Sequence, residues 1–229
     1  MRRFSAQSLI WALAILLPVA VLISLVVGTV NISLSDAVST LVGKAASSQT
    51  ETILFDIRLP RILMAIFVGA VLASTGAVMQ GLFRNPLADP SLIGVSSGAS
   101  VGASLMIVTA GGFIQSGALL GLSLVAVGAF VGGFAATLLV YRLATSGIGT
   151  SVTTMLLAGI AIGALAGALN SLLSYFSDND MLRQISLWQM GNLSGASWTK
   201  VIVMGAVALL LMGLFPRESK ALNALLLGE

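Results

Sequence analysis

The sequence predicts an all-α, polytopic transmembrane helical bundle with about six spans present, each near the roughly 20 apolar residues a hydrocarbon core requires. Three observations carry this. The 229 residues are 57% hydrophobic and 8% charged, where a soluble domain carries roughly 25% charge. Apolar runs of span length recur between short polar loops. Glycine and alanine return every fourth residue within several of those runs, letting backbones approach in lipid, where van der Waals contact must supply the drive for association. The chain reads as one transmembrane domain over residues 1–229.

The first span covers 9–28, behind Arg2 and Arg3. A signal peptide would have a shorter apolar core and a small-residue cleavage site, so this helix is expected to be retained. The loop from Asn31 to Ile57 is polar, with Lys44, Glu51 and Asp56. Its Ser33-Leu34-Ser35-Asp36 predicts the cap of a short interfacial helix. The second span, 62–83, starts just after Pro60, where a missing amide donor costs a helix least. Gly69, Ala73, Ala77 and Gly81 run down it.

A turn on Asn85-Pro86 and Asp89-Pro90 leads to the third span, 92–110, with Gly94, Gly98 and Gly102. The fourth, 117–140, carries Gly128, Gly132 and Ala136, and the fifth, 152–176, carries Gly159, Gly163 and Gly167. Residues 177–180 read as a solvated turn. Met181 to Ser197, with Trp188 and Trp198 near its ends, reads as a short interfacial or re-entrant helix, because Trp favours the headgroup level. The last span is 198–215, with Lys200 able to snorkel outward. Pro216 to Lys220 closes it, and 221–229 opens a further apolar helix.

Cysteine and histidine are both absent, which removes disulfides, thiolate nucleophiles, imidazole bases and the usual soft metal ligands. No cofactor or metal is expected. Gly94 to Ser100 offers serines between glycines, but a serine nucleophile needs a positioned base. Close packing is the preferred reading, and an intramembrane protease is the remote alternative. No Asp, Glu, Lys or Arg falls inside the first five spans, so a proton relay of the kind that keeps buried charge in carriers is not expected. A Gly-x-x-x-x-Gly-Lys-Ser/Thr loop is also missing, and with it that route to nucleotide binding. Energy for uphill transport would come from another subunit.

The 11 basic residues are scattered through loops and read as topology signals, not as a nucleic-acid surface. With a cytoplasmic N-terminus, Arg2, Arg3, Arg84, Arg142, Arg217 and Lys220 lie inside, and Lys44, Arg58, Arg61, Arg183 and Lys200 outside. That is a weak positive-inside bias, stronger if Arg58 and Arg61 have an outside task. Asn170, Ser171 and Ser174 form the most polar intramembrane cluster. Two readings stay open for it: hydrogen bonding between helices, or a polar strip facing a translocation path.

Several spaced motifs resemble one known family. Ile57-Arg58-Leu59-Pro60-Arg61, Gly69-Ala70, Gly76-Ala77-Val78-Met79-Gln80, Asn85-Pro86-Leu87-Ala88-Asp89-Pro90 and Leu92-Ile93-Gly94-Val95-Ser96-Ser97-Gly98-Ala99 stand in order. Leu156-Leu157-Ala158-Gly159, Trp188-Gln189-Met190-Gly191 and Leu227-Gly228-Glu229 follow. Together they are similar to the FecCD-type permeases, membrane subunits of bacterial ABC importers for iron-siderophores, haem and cobalamin.

The resemblance implies a homodimeric inner-membrane permease with a cytoplasmic N-terminus, roughly ten spans of roughly 20 residues, and a path at the dimer axis. It implies an ABC ATPase subunit and a periplasmic substrate-binding protein as partners, with lipid around the bundle. Arg58 and Arg61 would dock the binding protein's glutamates, in a salt-dependent way. Gln80, with Asn170, Ser171 and Ser174, would line the path. Ser151, Thr153 and Thr154 would form the cytoplasmic gate, and Leu225, Gly228 and Glu229 would begin the ATPase-coupling segment. ATP hydrolysis would lie on the separate subunit.

Family members run longer, so this chain is expected to hold the first of two related halves and, alone, neither to close a path nor to grip an ATPase fully. The alternatives are a cobalamin importer, a passive pore or half-size secondary carrier, and a non-transporting fragment.

Overall fold

A computed structural model describes residues 5–43, 47–110, 119–147 and 149–227. Eight helices run through these residues: α1 (Ala6–Val26), α2 (Leu34–Leu41), α3 (Ser48–Phe83), α4 (Val95–Thr109), α5 (Leu119–Ala144), α6 (Val152–Tyr175), α7 (Asn179–Met190) and α8 (Trp198–Leu227). Among the described residues, five helices are long and apolar enough to cross a membrane: α1, α3, α5, α6 and α8. The chain divides into two compact units, Met1–Leu72 with Leu193–Phe215, and Ala73–Asn192 with Pro216–Glu229.

In the first unit, Ser5 caps α1 by accepting the Ser8 amide, and Ser33 caps α2 by accepting the Asp36 amide. The predicted short helix therefore forms on its expected cap. Leu25, Ile32, Ala37 and Leu54 make the core, with Val21, Ile53, Leu59 and Ile62 packed against it. Thr40 is buried and donates its hydroxyl to the Asp36 carbonyl at 2.6 Å.

The polar loop expected to reach Ile57 ends earlier, because α3 begins at Ser48 and runs 36 residues to Phe83. Pro60 lies inside this helix, not at its start. In a regular α-helix its ring would collide with the carbonyl four residues back, and its missing N–H would break the ladder. The helix widens instead: Thr52–Arg58 is a π-helix, and the Leu59 amide reaches back five residues to the Leu54 carbonyl. Glu51, Asp56, Arg58 and Arg61 are thus helical residues ahead of the uncharged stretch that starts at residue 62.

In the second unit, the turn after α3 is built as its residue types require. Arg84 adopts φ 48°. Asn85 accepts the Leu87 amide at 3.0 Å, and Asp89 accepts the Ser91 amide at 2.7 Å. A 3₁₀ turn over Pro90–Ile93 and Gly94 at φ 77° then delay the third helix to Val95. The span expected from residue 92 is correspondingly shorter, at 15 residues.

The glycine columns of α4 and α5 meet backbone to backbone. A Cβ on Gly98 would lie 2.3 Å from the Gly132 carbonyl oxygen, and one on Gly102 would lie 2.0 Å from that of Gly128. Gly159 of α6 seats the Leu92 carbonyl in the same way, at 1.9 Å. Elsewhere the columns are open: Cβ atoms on Gly69 and Gly167 would meet nothing within 4 Å among the described residues.

Met79, Phe83, Ala88, Val140, Ala144 and Met155 form one core of this unit. Ala103, Ile107, Val125 and Ile185 form another, and Met181 and Trp188 of α7 pack on it. Asp178 caps α7 by accepting the Met181 amide, so the helix starts inside the stretch expected to be a solvated turn. Helix α5 continues past residue 140 to Ala144. Helix α8 does not stop at Pro216 but carries it internally to Leu227, a proline position that membrane helices tolerate.

Candidate functional site

The π segment of α3 sets the chemistry of the first unit. Its Phe55 carbonyl would find its donor at residue 60, and that residue is a proline. The indole Nε1 of Trp198 supplies the missing hydrogen bond, donating to the Phe55 oxygen at 2.9 Å. One turn along, Arg58 is 8% exposed. Its Nη1 donates to the Leu25 carbonyl and its Nη2 to the Val30 carbonyl. Leu25 lies in the last turn of α1, where carbonyls have no partner within the helix and a cation is favoured by the helix dipole. Arg61, three residues on, is exposed. The expected pair is therefore split: one arginine is turned into the protein, the other outward.

Both arginines border an open groove of about 870 Å³. Leu17, Ala20 and Val21 of α1 and Ile62, Ala65 and Ile66 of α3 line its apolar length, with Arg58 and Arg61 towards the end near Thr29.

In the second unit, Ser100 of α4 is a junction. Its hydroxyl oxygen accepts from Asn170 Nδ2 of α6 at 3.1 Å and from Gln189 Nε2 of α7 at 3.3 Å. Among the described residues Asn170 Oδ1 is buried with no hydrogen-bond partner. Asn170 thus joins α6 to α4 through its bond to Ser100. Ser171 is exposed and returns its hydroxyl to the Gly167 carbonyl at 3.1 Å, and Ser174 is half-buried. Gln80 is exposed.

Between α5 and α6 a two-stranded hairpin pairs Thr145 with Thr150 and Ser146 with Gly149. Ser151 then caps α6, accepting the Thr154 amide at 3.3 Å and the Thr154 hydroxyl at 3.0 Å. Ser151, Thr153 and Thr154 are all exposed, so the expected gate residues form one hydroxyl-bearing helix start. Of the expected coupling residues, Gly228 and Glu229 lie outside the described residues, and Leu225 is described by its backbone alone.

Asp89, in the turn before α4, has its carboxyl held below its ordinary pKa by hydrogen bonds from Ser91, the hydroxyl first and the amide second. Among the described residues no group of three or more Asp and Glu could hold a metal ion.

Sequence reasoning missed Ser100, Gln189 and Trp198 as members of these arrangements. Trp198 carried a signal: a proline inside a long apolar helix leaves a carbonyl in need of a side-chain donor.

The model of the FecCD transport family matches residues 16–229. The hemin transport system permease protein HmuU of Yersinia pestis is 42% identical over 211 residues, covering 91% of this chain and 61% of that protein. The vitamin B12 import system permease protein BtuC of Shigella boydii is 38% identical over 230 residues, covering 100% of this chain and 65% of that protein. A solved structure, described as a metal-chelate type ABC transporter in an inward-facing conformation, aligns with a TM-score of 0.77 at 32% identity, over 96% of this chain and 64% of that one. The chain spans less than two thirds of the length of each of these relatives. A family match running almost from end to end, on a multi-span helical fold, places it: the chain belongs to the FecCD transport family.

Proposed function

We propose that this chain forms part of the membrane-spanning permease subunit of a bacterial ATP-driven importer for iron chelates, haem or a siderophore. The observation that carries the reading is the family match over residues 16–229. Haem stands first because the haem permease is the more similar of the relatives described, at 42% against 38% identity. Cobalamin is the competing cargo, and the similarity to the B12 permease across the whole chain supports it.

In this reading the subunit is not an enzyme. ATP hydrolysis belongs to a separate ATPase, which the segment holding Leu225, Gly228 and Glu229 helps to engage. The two compact units act as one permease domain, which pairs with a second copy in the inner membrane with its N-terminus in the cytoplasm. Arg61 faces the periplasm and meets carboxylates of the binding protein. Ser151, Thr153 and Thr154 stand at the cytoplasmic gate, where small hydroxyl side chains close a constriction without trapping charge. Gln80, Ser171 and Ser174 border the path, with Asn170 behind them as a brace.

The test is co-reconstitution with the partner ATPase and binding protein, followed by uptake of labelled haem, ferric siderophore and cobalamin. ATP-dependent uptake of one of them supports the importer. Uptake that persists with a hydrolysis-dead ATPase, or that collapses with the proton gradient at constant ATP, would sink it.

A further inference from the structure

We propose that α2 is a membrane-interface helix whose exposed apolar face, formed by Leu34, Val38, Leu41 and the capping Val42, lies among lipid acyl chains beside the end of α1. This seat requires only that α1 spans the bilayer, whichever cargo the subunit carries.

The position of α2 is fixed by α1. Helix α1 has the length and apolarity of a span and ends at Val26, and only residues 27–33 separate it from α2. The Ile32 amide folds this connection back onto the Val26 carbonyl at 3.3 Å. Ala37 of α2 is buried in one core with Leu25, from the last turn of α1, and Leu54 of α3. A helix pinned at these points stays at the level where α1 meets the headgroups.

At about 100° per residue, three sectors divide the helix. Ala37 and Thr40 are buried in the protein. Leu34, Val38, Leu41 and Val42 are all exposed, and they span an arc of about 100°, the width of a stripe that would normally face a core. Asp36, the one charged residue of Leu34–Leu41, lies about 160° round from both Leu34 and Val38 and is exposed together with Ser35. The apolar sector also continues a lipid boundary. Leu22, Ile23 and Val27 at the end of α1 and Val30 in the connection are exposed, so apolar side chains follow one another from the span into α2 with no charge between them.

The polar groups of α2 suit a boundary of low polarity, where an unpaired donor is costly. Ser33 accepts the Asp36 amide, and its hydroxyl shares a hydrogen bond of 2.8 Å with that of Ser35. The hydroxyls of Ser39 and Thr40 both donate to the Asp36 carbonyl, at 3.0 and 2.6 Å. At the far end the amides of Val42 and Gly43 return to the carbonyls of Val38 and Thr40, at 3.0 and 3.1 Å. An open hollow of about 480 Å³ lies between Leu34, Val38 and Val42 on one side and Ser35 and Ser39 on the other, which matches the change from chain to headgroup. Leu34–Leu41 holds no lysine or arginine. Its seat therefore depends on apolar area and not on attraction to anionic lipid, the other source of interfacial affinity.

The chain has no cysteine, so Leu34→Cys, Val38→Cys, Ser35→Cys and Asp36→Cys each give a single spin-labelling site on the full chain in lipid nanodiscs. All four positions are exposed, which keeps the label out of the core. Collisions with oxygen, which enters the acyl region, are compared with those of a water-soluble nickel chelate. The Leu34→Cys and Val38→Cys labels should sit roughly 5–10 Å below the headgroups, and the Ser35→Cys and Asp36→Cys labels on the aqueous side. The depths should be the same in phosphatidylcholine alone and with phosphatidylglycerol added. Four labels at one depth, or all reached by the nickel chelate, would overturn the proposal. Shielding of the Leu34→Cys and Val38→Cys labels from both reagents would do so too, since protein would then cover the face. A depth gained only with phosphatidylglycerol would refute the apolar seat.

Discussion

Gly98 of α4 and Gly132 of α5 meet so closely that a Cβ on the first would lie 2.3 Å from the carbonyl oxygen of the second. The contact is backbone on backbone, so no rotamer change can relieve an added methyl. Gly98→Ala should cost about 1–3 kcal/mol, the usual penalty for overpacking, read as a lower unfolding midpoint in detergent. Gly167→Ala is the control. With nothing within 4 Å of its Cβ among the described residues, it should be neutral or stabilise by up to about 1 kcal/mol through helix propensity. Equal losses in the two variants would disprove the assignment.

Trp198→Phe keeps most of the ring and removes the donor to Phe55. The expected loss is about 0.5–1.5 kcal/mol, the net worth of one hydrogen bond. Pro60→Ala restores an amide at residue 60, so α3 regains its own donor. In that background Trp198→Phe should cost much less, and a double-mutant cycle on thermal midpoints measures the coupling. Strictly additive effects would show that the indole and the proline are unconnected.

Ser100→Ala removes the acceptor shared by Asn170 and Gln189, leaving two amide donors unmatched. A loss of about 1–2 kcal/mol is expected, slightly above the average for polar contacts between membrane helices. Asn170→Leu should be milder, because it deletes the unpartnered Oδ1 together with the donor. The reverse ranking would argue that Asn170 has an external partner, as the path reading requires.

Asp89 predicts a pH dependence. Its folded pKa lies below the ordinary 3.8, so its contribution to stability is fully present above that value and is lost as pH falls through the folded pKa. Asp89→Asn keeps an oxygen for the Ser91 amide but loses the charge. The stability advantage of wild type over this variant should be present at neutral pH and shrink below about pH 4, measured as the difference in unfolding midpoints. A difference independent of pH would mean that charge plays no part in the turn.

What the sequence made legible was whatever is local or periodic. Apolar run lengths located the crossing helices, the serine at 33 located α2, and the four-residue spacing of Gly98 and Gly102, and of Gly128 and Gly132, marked helix faces where backbones can approach closely. Pro60 was misread because proline at a helix start and proline inside a π-widened helix look alike in one dimension.

The site was less legible, for a related reason. Arg58 finds its acceptors 33 and 28 positions back, and Ser100 finds its donors 70 and 89 positions ahead. No local pattern encodes such pairings. An arginine at a helix end signals the headgroup level equally well whether it faces water or a neighbouring carbonyl.

The π segment has a further consequence for how α3 tolerates change in length. It amounts to an α-helix holding one surplus residue, so the faces before and after it are out of phase by about 100°, the rotation of a single residue. Removing one residue within Thr52–Ile57 would leave a helix but swing its leading turns, with Leu54, away from the core they fill. Length variation among related chains should therefore gather in the connection ahead of Ser48, and a one-residue gap falling inside the segment would mark a relative whose α1 exit is fastened differently.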